Sequence, residues 1–250
     1  MYLWGYAVDS CSSAFDGVCG ANLLGFCDLQ ESTAYPDISI VGAKAAGKGT
    51  QIARLRESFN LLYFSPSQMF REGLKQRTEL GLLAESHMSR GELVPDDYVN
   101  SMLEAWLWQS SPKQGIVFDG FPRTTYQAEF LENSFKDMSR TFDSLIYLDV
   151  SYDVVCRRLA GRRACFICKE EFHLESAPFS ICPYKKCTGQ HLKSLPEDQP
   201  NIISSMLINF KKGIEPVLDY YKAKGKLVVI DGTGNSDEVQ KAVLEGISHV

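Results

Sequence analysis

The nine residues Gly42-Ala43-Lys44-Ala45-Ala46-Gly47-Lys48-Gly49-Thr50 constrain this chain more than any other segment. A β-branched run, Ile38-Ser39-Ile40-Val41, leads into them, and a helical stretch follows from Lys48 to about Ser58. A strand, a glycine-punctuated turn and a helix start, in that order, gather backbone N–H groups at the positive end of the helix. Such a turn holds nucleotide phosphates. Gly42, Ala45, Ala46, Gly47 and Gly49 supply main chain to it. Lys48 adds a point charge at the β- and γ-phosphates, and Thr50 reaches a metal ion through water.

The rest of the chain alternates in the same way. Leu61–Phe64, Gly115–Asp119, Leu145–Val150 and Leu227–Asp231 are short apolar runs, and helical stretches separate them, including Pro66–Gln76, Thr78–Arg90 and one opening at Pro95-Asp96-Asp97. Continuous apolar strands suit a parallel sheet covered on both faces. The expectation is therefore an α/β fold with a doubly wound, parallel five-stranded sheet. Ile203, Met206, Phe210, Ile214, Val217 and Tyr221 repeat at helical spacing as core, with Pro216 expected to kink that helix. Net charge is −5, which argues against a nucleic-acid surface, and no apolar run is long enough to span a membrane. Residues 1–36 contain no Lys or Arg, so they fit neither a secretory signal nor a mitochondrial presequence. They read as an N-terminal extension, with a docking or redox segment around Cys11, Cys19 and Cys27 as the alternative.

Asp119 ends a buried strand and is the natural carboxylate for a magnesium ion held through water. With its neighbours it forms Asp119-Gly120-Phe121-Pro122-Arg123-Thr124. Together with Gly47-Lys48-Gly49-Thr50-Gln51 and Gly161-Arg162-Arg163, this run resembles the adenylate kinases in order and spacing, over about residues 37–250. The resemblance implies a core (37–64, 95–160, 199–250), an NMP-binding region (65–94) and a lid (161–198). It implies reversible transfer of the terminal phosphoryl group of ATP to AMP, with Mg²⁺, by a cytoplasmic monomer. It also assigns residues. Ser65, Arg71, Leu93, Val94, Gly120, Arg123 and Gln127 would bind AMP, with Gln127 on the adenine edge. Arg158, stacked on the base, Arg162 at the transferring phosphoryl group, and Gly232 would join the turn in binding ATP. Lys48, Arg123 and Arg162 would be catalytic.

Cys165-Phe166-Ile167-Cys168 and Cys182-Pro183-Tyr184-Lys185-Lys186-Cys187 place two close cysteine pairs inside one small insertion. That spacing suits tetrahedral thiolate ligation of a structural Zn²⁺, with His173 and His191 as alternative ligands. A lid without an apolar core needs such a staple.

Three departures from the family pattern bear on activity. Lys44-Ala45 stands where the family has Pro-Gly. Ser65-Pro66-Ser67-Gln68 stands where it has Ser-Thr-Gly-Asp. Leu195 and Met206 occupy the places of two arginines around the acids Glu197 and Asp198. The alternatives are a nucleotide-binding homologue with little activity and a regulatory or scaffold role, a kinase for another nucleoside monophosphate, or compensation of the lost charge by Lys185, Lys186 or Lys193.

Overall fold

A computed structural model describes residues 35–88, 92–110, 114–168, 170–174, 178–182, 184–195 and 198–248. Most of the expected extension, with its three cysteines, lies outside these residues, as do Arg90, Gly91 and Glu197.

The central sheet comprises β1 (Ile38–Gly42), β2 (Leu62–Phe64), β3 (Ile116–Asp119), β4 (Ser144–Asp149) and β8 (Leu227–Asp231). The strand order is β2-β3-β1-β4-β8, and every pairing is parallel. Because side chains alternate along a strand, each face buries its own set. On one face Ile38, Ile40, Val117, Ile146 and Leu148 pack with Ile52 and Leu55 of α1 (Lys48–Phe59) and Val239 and Val243 of α8 (Ser236–Ser248). On the other, Val41, Phe118 and Leu145 pack with Leu103 of α4 (Asp96–Gln109), Leu131 and Phe135 of α5 (Thr125–Asp137), and Val217 and Tyr221 of α7 (Pro200–Ala223). α7 runs on through Pro216. The remaining helices are α2 (Pro66–Lys75), α3 (Glu79–Met88) and α6 (Tyr152–Gly161). No helix among the described residues is long and apolar enough to cross a membrane.

The insertion contains more order than its sequence announces. β5 (Arg162–Cys165) pairs antiparallel with β6 (Glu171–His173) and β7 (Leu192–Lys193) in a separate small sheet. Its strands are two to four residues long, too short to show a period of two against the surrounding Cys, Lys and Gly.

Candidate functional site

The phosphate loop connects β1 to α1. Gly47 stands at the N-cap with φ 99°, and Ala45 has φ 62°, a left-handed conformation that an L-residue adopts at a cost. Gly49 and Thr50 are exposed on the first turn of α1. Lys48 Nζ donates to the carbonyls of Gly42 (2.8 Å) and Ala43 (2.9 Å). Gly232 follows β8 beside the loop, and a Cβ there would stand 3.2 Å from the Ala46 carbonyl. Arg158 fastens the two segments together, donating to Ala45 O (3.1 Å) and Gly232 O (2.8 Å).

Asp119 lies on the neighbouring strand, where it is in register with Ile40, two residues before the loop opens. Its Oδ2 accepts from the Tyr63 hydroxyl at 2.8 Å and from Ser65 Oγ at 3.5 Å. Gly120 follows with φ 63°, allowing the chain to turn back so that Arg123 Nε donates to its carbonyl (2.8 Å). The second edge of Arg123 reaches Ser67 Oγ (3.3 Å). The peptide bond between Phe121 and Pro122 is cis.

These charges share one cleft. Desolvation by the cleft walls draws Lys48 down to about 8; the Asp119 charge opposes this and the Arg123 charge adds to it. The same desolvation lowers Arg123, against Asp119 and with Arg71, although an edge of Arg123 faces solvent. A desolvated Lys48 and an Arg123 exposed at one edge, facing a single carboxylate, leave a net positive site, which favours a polyanion.

A cavity opens on the far side of Arg123. Pro66, Ser67 and Phe70 of α2 form one wall, Leu93, Val94 and Val99 another, and Gly120, Phe121, Arg123 and Gln127 the floor. Ser65 caps α2, accepting from Gln68 N–H (3.4 Å), and Pro66 takes the first helical position, where its missing N–H costs nothing. Gln127 lines the cavity, but its carboxamide is engaged. Nε2 donates to Asp96 Oδ1 (2.7 Å), and Oε1 accepts from the Arg123 N–H (2.8 Å). Leu93 is exposed and Val94 buried. Arg71, also exposed, acts on the site through its charge on Arg123 and Tyr63.

Arg162 starts β5 on the opposite side of the loop and grips Asp198 with two parallel bonds of 2.7 Å, Nε to Oδ2 and Nη2 to Oδ1. Lys44 Nζ lies 3.6 Å from the same carboxylate. Leu195 is half-buried. Met206 packs into a small apolar cluster with Ala43, Ala45 and Leu159. Of the lysines expected to compensate for them, Lys186 lies over the Tyr184 ring and Lys193 over the Phe166 ring. The structure instead brings Lys44 to Asp198.

Three partnerships were not legible in the chain: Tyr63 with Asp119, Asp96 with Gln127, and Lys44 with Asp198. Each spans a long sequence separation. Only the Tyr63 contact had a signal, a polar hydroxyl within an apolar strand.

In the small sheet, Cys165 Sγ lies 3.4 Å from Cys187 Sγ, which lies 3.8 Å from Cys168 Sγ. The Cys182 thiol feels Cys187 but lies outside the three whose sulfurs all fall within 4.8 Å of one another. Tetrahedral bonds of about 2.3 Å to zinc would separate sulfurs by about 3.8 Å. Backbone N–H groups of Cys168 and Lys186 point at Cys165 Sγ (3.5 Å) and Cys182 Sγ (3.4 Å). Donation by Cys168 N–H brings the Cys165 thiol down to about 7, whereas desolvation pushes Cys187 up to about 12. Three thiols this close, Cys165, Cys168 and Cys187, ionise together only around a cation. The metal-capable cluster among the described residues is Cys165, Cys168 and Cys187, without Cys182, His173 or His191; His173 Nε2 bonds Arg158 O at 3.0 Å.

A parallel sheet with a phosphate loop at the carboxyl end of β1, cations beside that loop, and a cavity beyond Arg123 defines a P-loop nucleoside-monophosphate kinase, a transferase. The adenylate kinase family model matches residues 40–226. The chain is 35% identical to the adenylate kinase of Staphylococcus aureus strain Mu50 over 215 residues, and to that of Staphylococcus epidermidis over 214; each match covers 86% of this chain and 100% of the relative. The chain belongs to the adenylate kinase family.

Proposed function

We propose that this chain reversibly transfers the terminal phosphoryl group of ATP to AMP, giving two ADP, as a cytoplasmic monomer. The observation that carries the reading is the mutual electrostatic coupling of Lys48, Asp119 and Arg123 between the phosphate loop and the cavity walled by α2. Phosphoryl transfer needs little covalent help. It needs donor and acceptor held in line and the spreading charge neutralised.

In this reading the turn from Gly42 to Thr50, together with Gly232, receives the ATP phosphates. Arg158 holds those two segments in register and offers its plane to the base. Ser65, Arg71, Leu93, Val94, Gly120 and Gln127 shape the AMP site, and Gln127 must exchange its bonds to Asp96 and Arg123 to meet the adenine edge. Lys48, Arg123 and Arg162 neutralise the group in transit. Thr50 and Asp119, hard oxygen donors, would hold a Mg²⁺ through water, which supplies charge compensation on the β- and γ-phosphates. Cys165, Cys168, Cys182 and Cys187 would hold a Zn²⁺ that folds the lid. The described cysteines are all free thiols, in keeping with a reducing cytoplasm.

The test is a coupled assay with ATP and a panel of nucleoside monophosphates. AMP is expected to turn over fastest. Arg123→Ala is expected to lower kcat by about 100-fold or more while thermal stability stays close to that of the parent, because its bonds to Gly120 and Ser67 lie at a solvent-accessible edge. ATP binding without turnover would favour the nucleotide-binding alternative, to which the apolar Leu195 and Met206 lend support.

A further inference from the structure

Three parts of the chain meet at one carboxylate. Lys44 comes from the phosphate loop, Arg162 from the start of the lid, and Asp198 from its exit just before α7. The Asp198 side chain is only 2% exposed, whereas that of Lys44 is 32% exposed. A buried ionised carboxylate requires a partner charge; stripped of it, the group is strongly destabilised. Among the described residues it has two: the bidentate Arg162, and Lys44 at 3.6 Å. The loop's second departure faces the same way. The Ala45 side chain packs in the cluster that contains Met206 and Phe210 of α7.

We infer that Lys44 is a positioning residue for phosphoryl transfer, the counter-ion that lets Arg162 leave Asp198 for the nucleotide. This rests on the proposed function. An arginine in a two-bond grip on a buried carboxylate must surrender both bonds to meet a phosphate. If nothing else neutralised Asp198, that exchange would leave an unpaired charge in the interior, and Arg162 would be held back. Lys44 reaches the carboxylate from the loop, on a flexible stem, and keeps Asp198 neutralised as Arg162 departs. Lys44 thereby acts through Arg162.

The experiment is a double-mutant cycle on the full chain with Lys44→Met and Asp198→Asn, alone and combined, and Lys44→Arg as the conservative control. Steady-state kinetics with ATP and AMP are read together with ATP and AMP affinities from calorimetry. Lys44→Met is expected to lower kcat about tenfold and weaken ATP binding severalfold, with AMP affinity unchanged. Lys44→Arg is expected to stay within about twofold of the parent. With Asp198→Asn, which removes the charge that Lys44 neutralises, adding Lys44→Met is expected to change either quantity by less than twofold. A tenfold loss persisting in the Asp198→Asn background, or a Lys44→Met variant equal to the parent, would overturn the inference. If the parent binds ATP but does not turn over AMP, the proposed function fails, and the ATP affinities of the same five proteins still decide the role of Lys44.

Discussion

At the scale of single residues, the site is organised by what each charge has for company. Lys48 and Arg123 are cations in a desolvating cleft, and Asp119 is the carboxylate that tempers both. Asp119 is itself oriented by Tyr63, whose hydroxyl donates to Oδ2 at 2.8 Å. A hydroxyl-to-carboxylate bond of this kind contributes about 1.5–3 kcal/mol where it is shielded from water, and less at a half-buried site. Tyr63→Phe keeps the ring, and with it the contact of the Arg56 guanidinium over its face. Only the orienting bond is lost. The variant is expected to fold with a stability loss of about 1 kcal/mol and to need severalfold more Mg²⁺ for half-maximal rate, since a carboxylate free to rotate holds the ion's water shell less well. A magnesium titration of the initial rate checks this; an unchanged magnesium requirement would show that Ser65 alone suffices to orient Asp119.

Between residue and molecule stand the elements, and α2 and α3 form the tightest contact among them. A Cβ built on Gly81 would lie 2.2 Å from the carbonyl carbon of Gly73 and 2.3 Å from the Leu74 nitrogen. Those are backbone atoms, which cannot rotate aside. Gly81→Ala must therefore part the two helices, at the cost of at least the 1–3 kcal/mol typical of overpacking. Because α2 carries Pro66, Ser67 and Phe70 into the cavity proposed to hold AMP, the expected result is AMP affinity at least tenfold weaker, with ATP affinity preserved. Calorimetry with each nucleotide separates the two. The five parallel strands and most helices were legible in the chain because each has an apolar run or helical period of its own, as in Ile38–Val41 or Gly115–Asp119. The phosphate loop and Asp119 were legible because they lie at the ends of such runs. The small sheet was not, since β7 is two residues long. The Lys44–Asp198 contact was not legible either, because nothing local in either segment marks a partner at such a separation.

The whole molecule joins two kinds of stability. The central sheet buries a full apolar layer on each face, centred on Ile38, Val117 and Leu148 on one side and Phe118, Phe135 and Tyr221 on the other. Among the described residues the small sheet has nothing comparable: its aromatic contact is the Phe172–Phe179 pair, and Phe166, Leu174 and Ile181 stand exposed. If the proposed Zn²⁺ staples it at the thiol cluster, removing that metal should separate the two parts energetically. Chelation is expected to strip hydrogen-exchange protection from β5, β6 and β7 and to open Cys165, Cys168, Cys182 and Cys187 to alkylation. β1, β3 and β4 should remain protected. Phosphoryl transfer should fall with the lid, because Arg162 begins β5 and Asp198 closes the insertion, so both ends of their pair depend on its fold. AMP binding, which in the proposed reading draws on α2, α4 and α5, should persist. Protection lost equally from both sheets would mean that the thiols stabilise the whole chain. Protection lost from neither would mean that the small sheet stands without a metal, and the four cysteines would need another explanation.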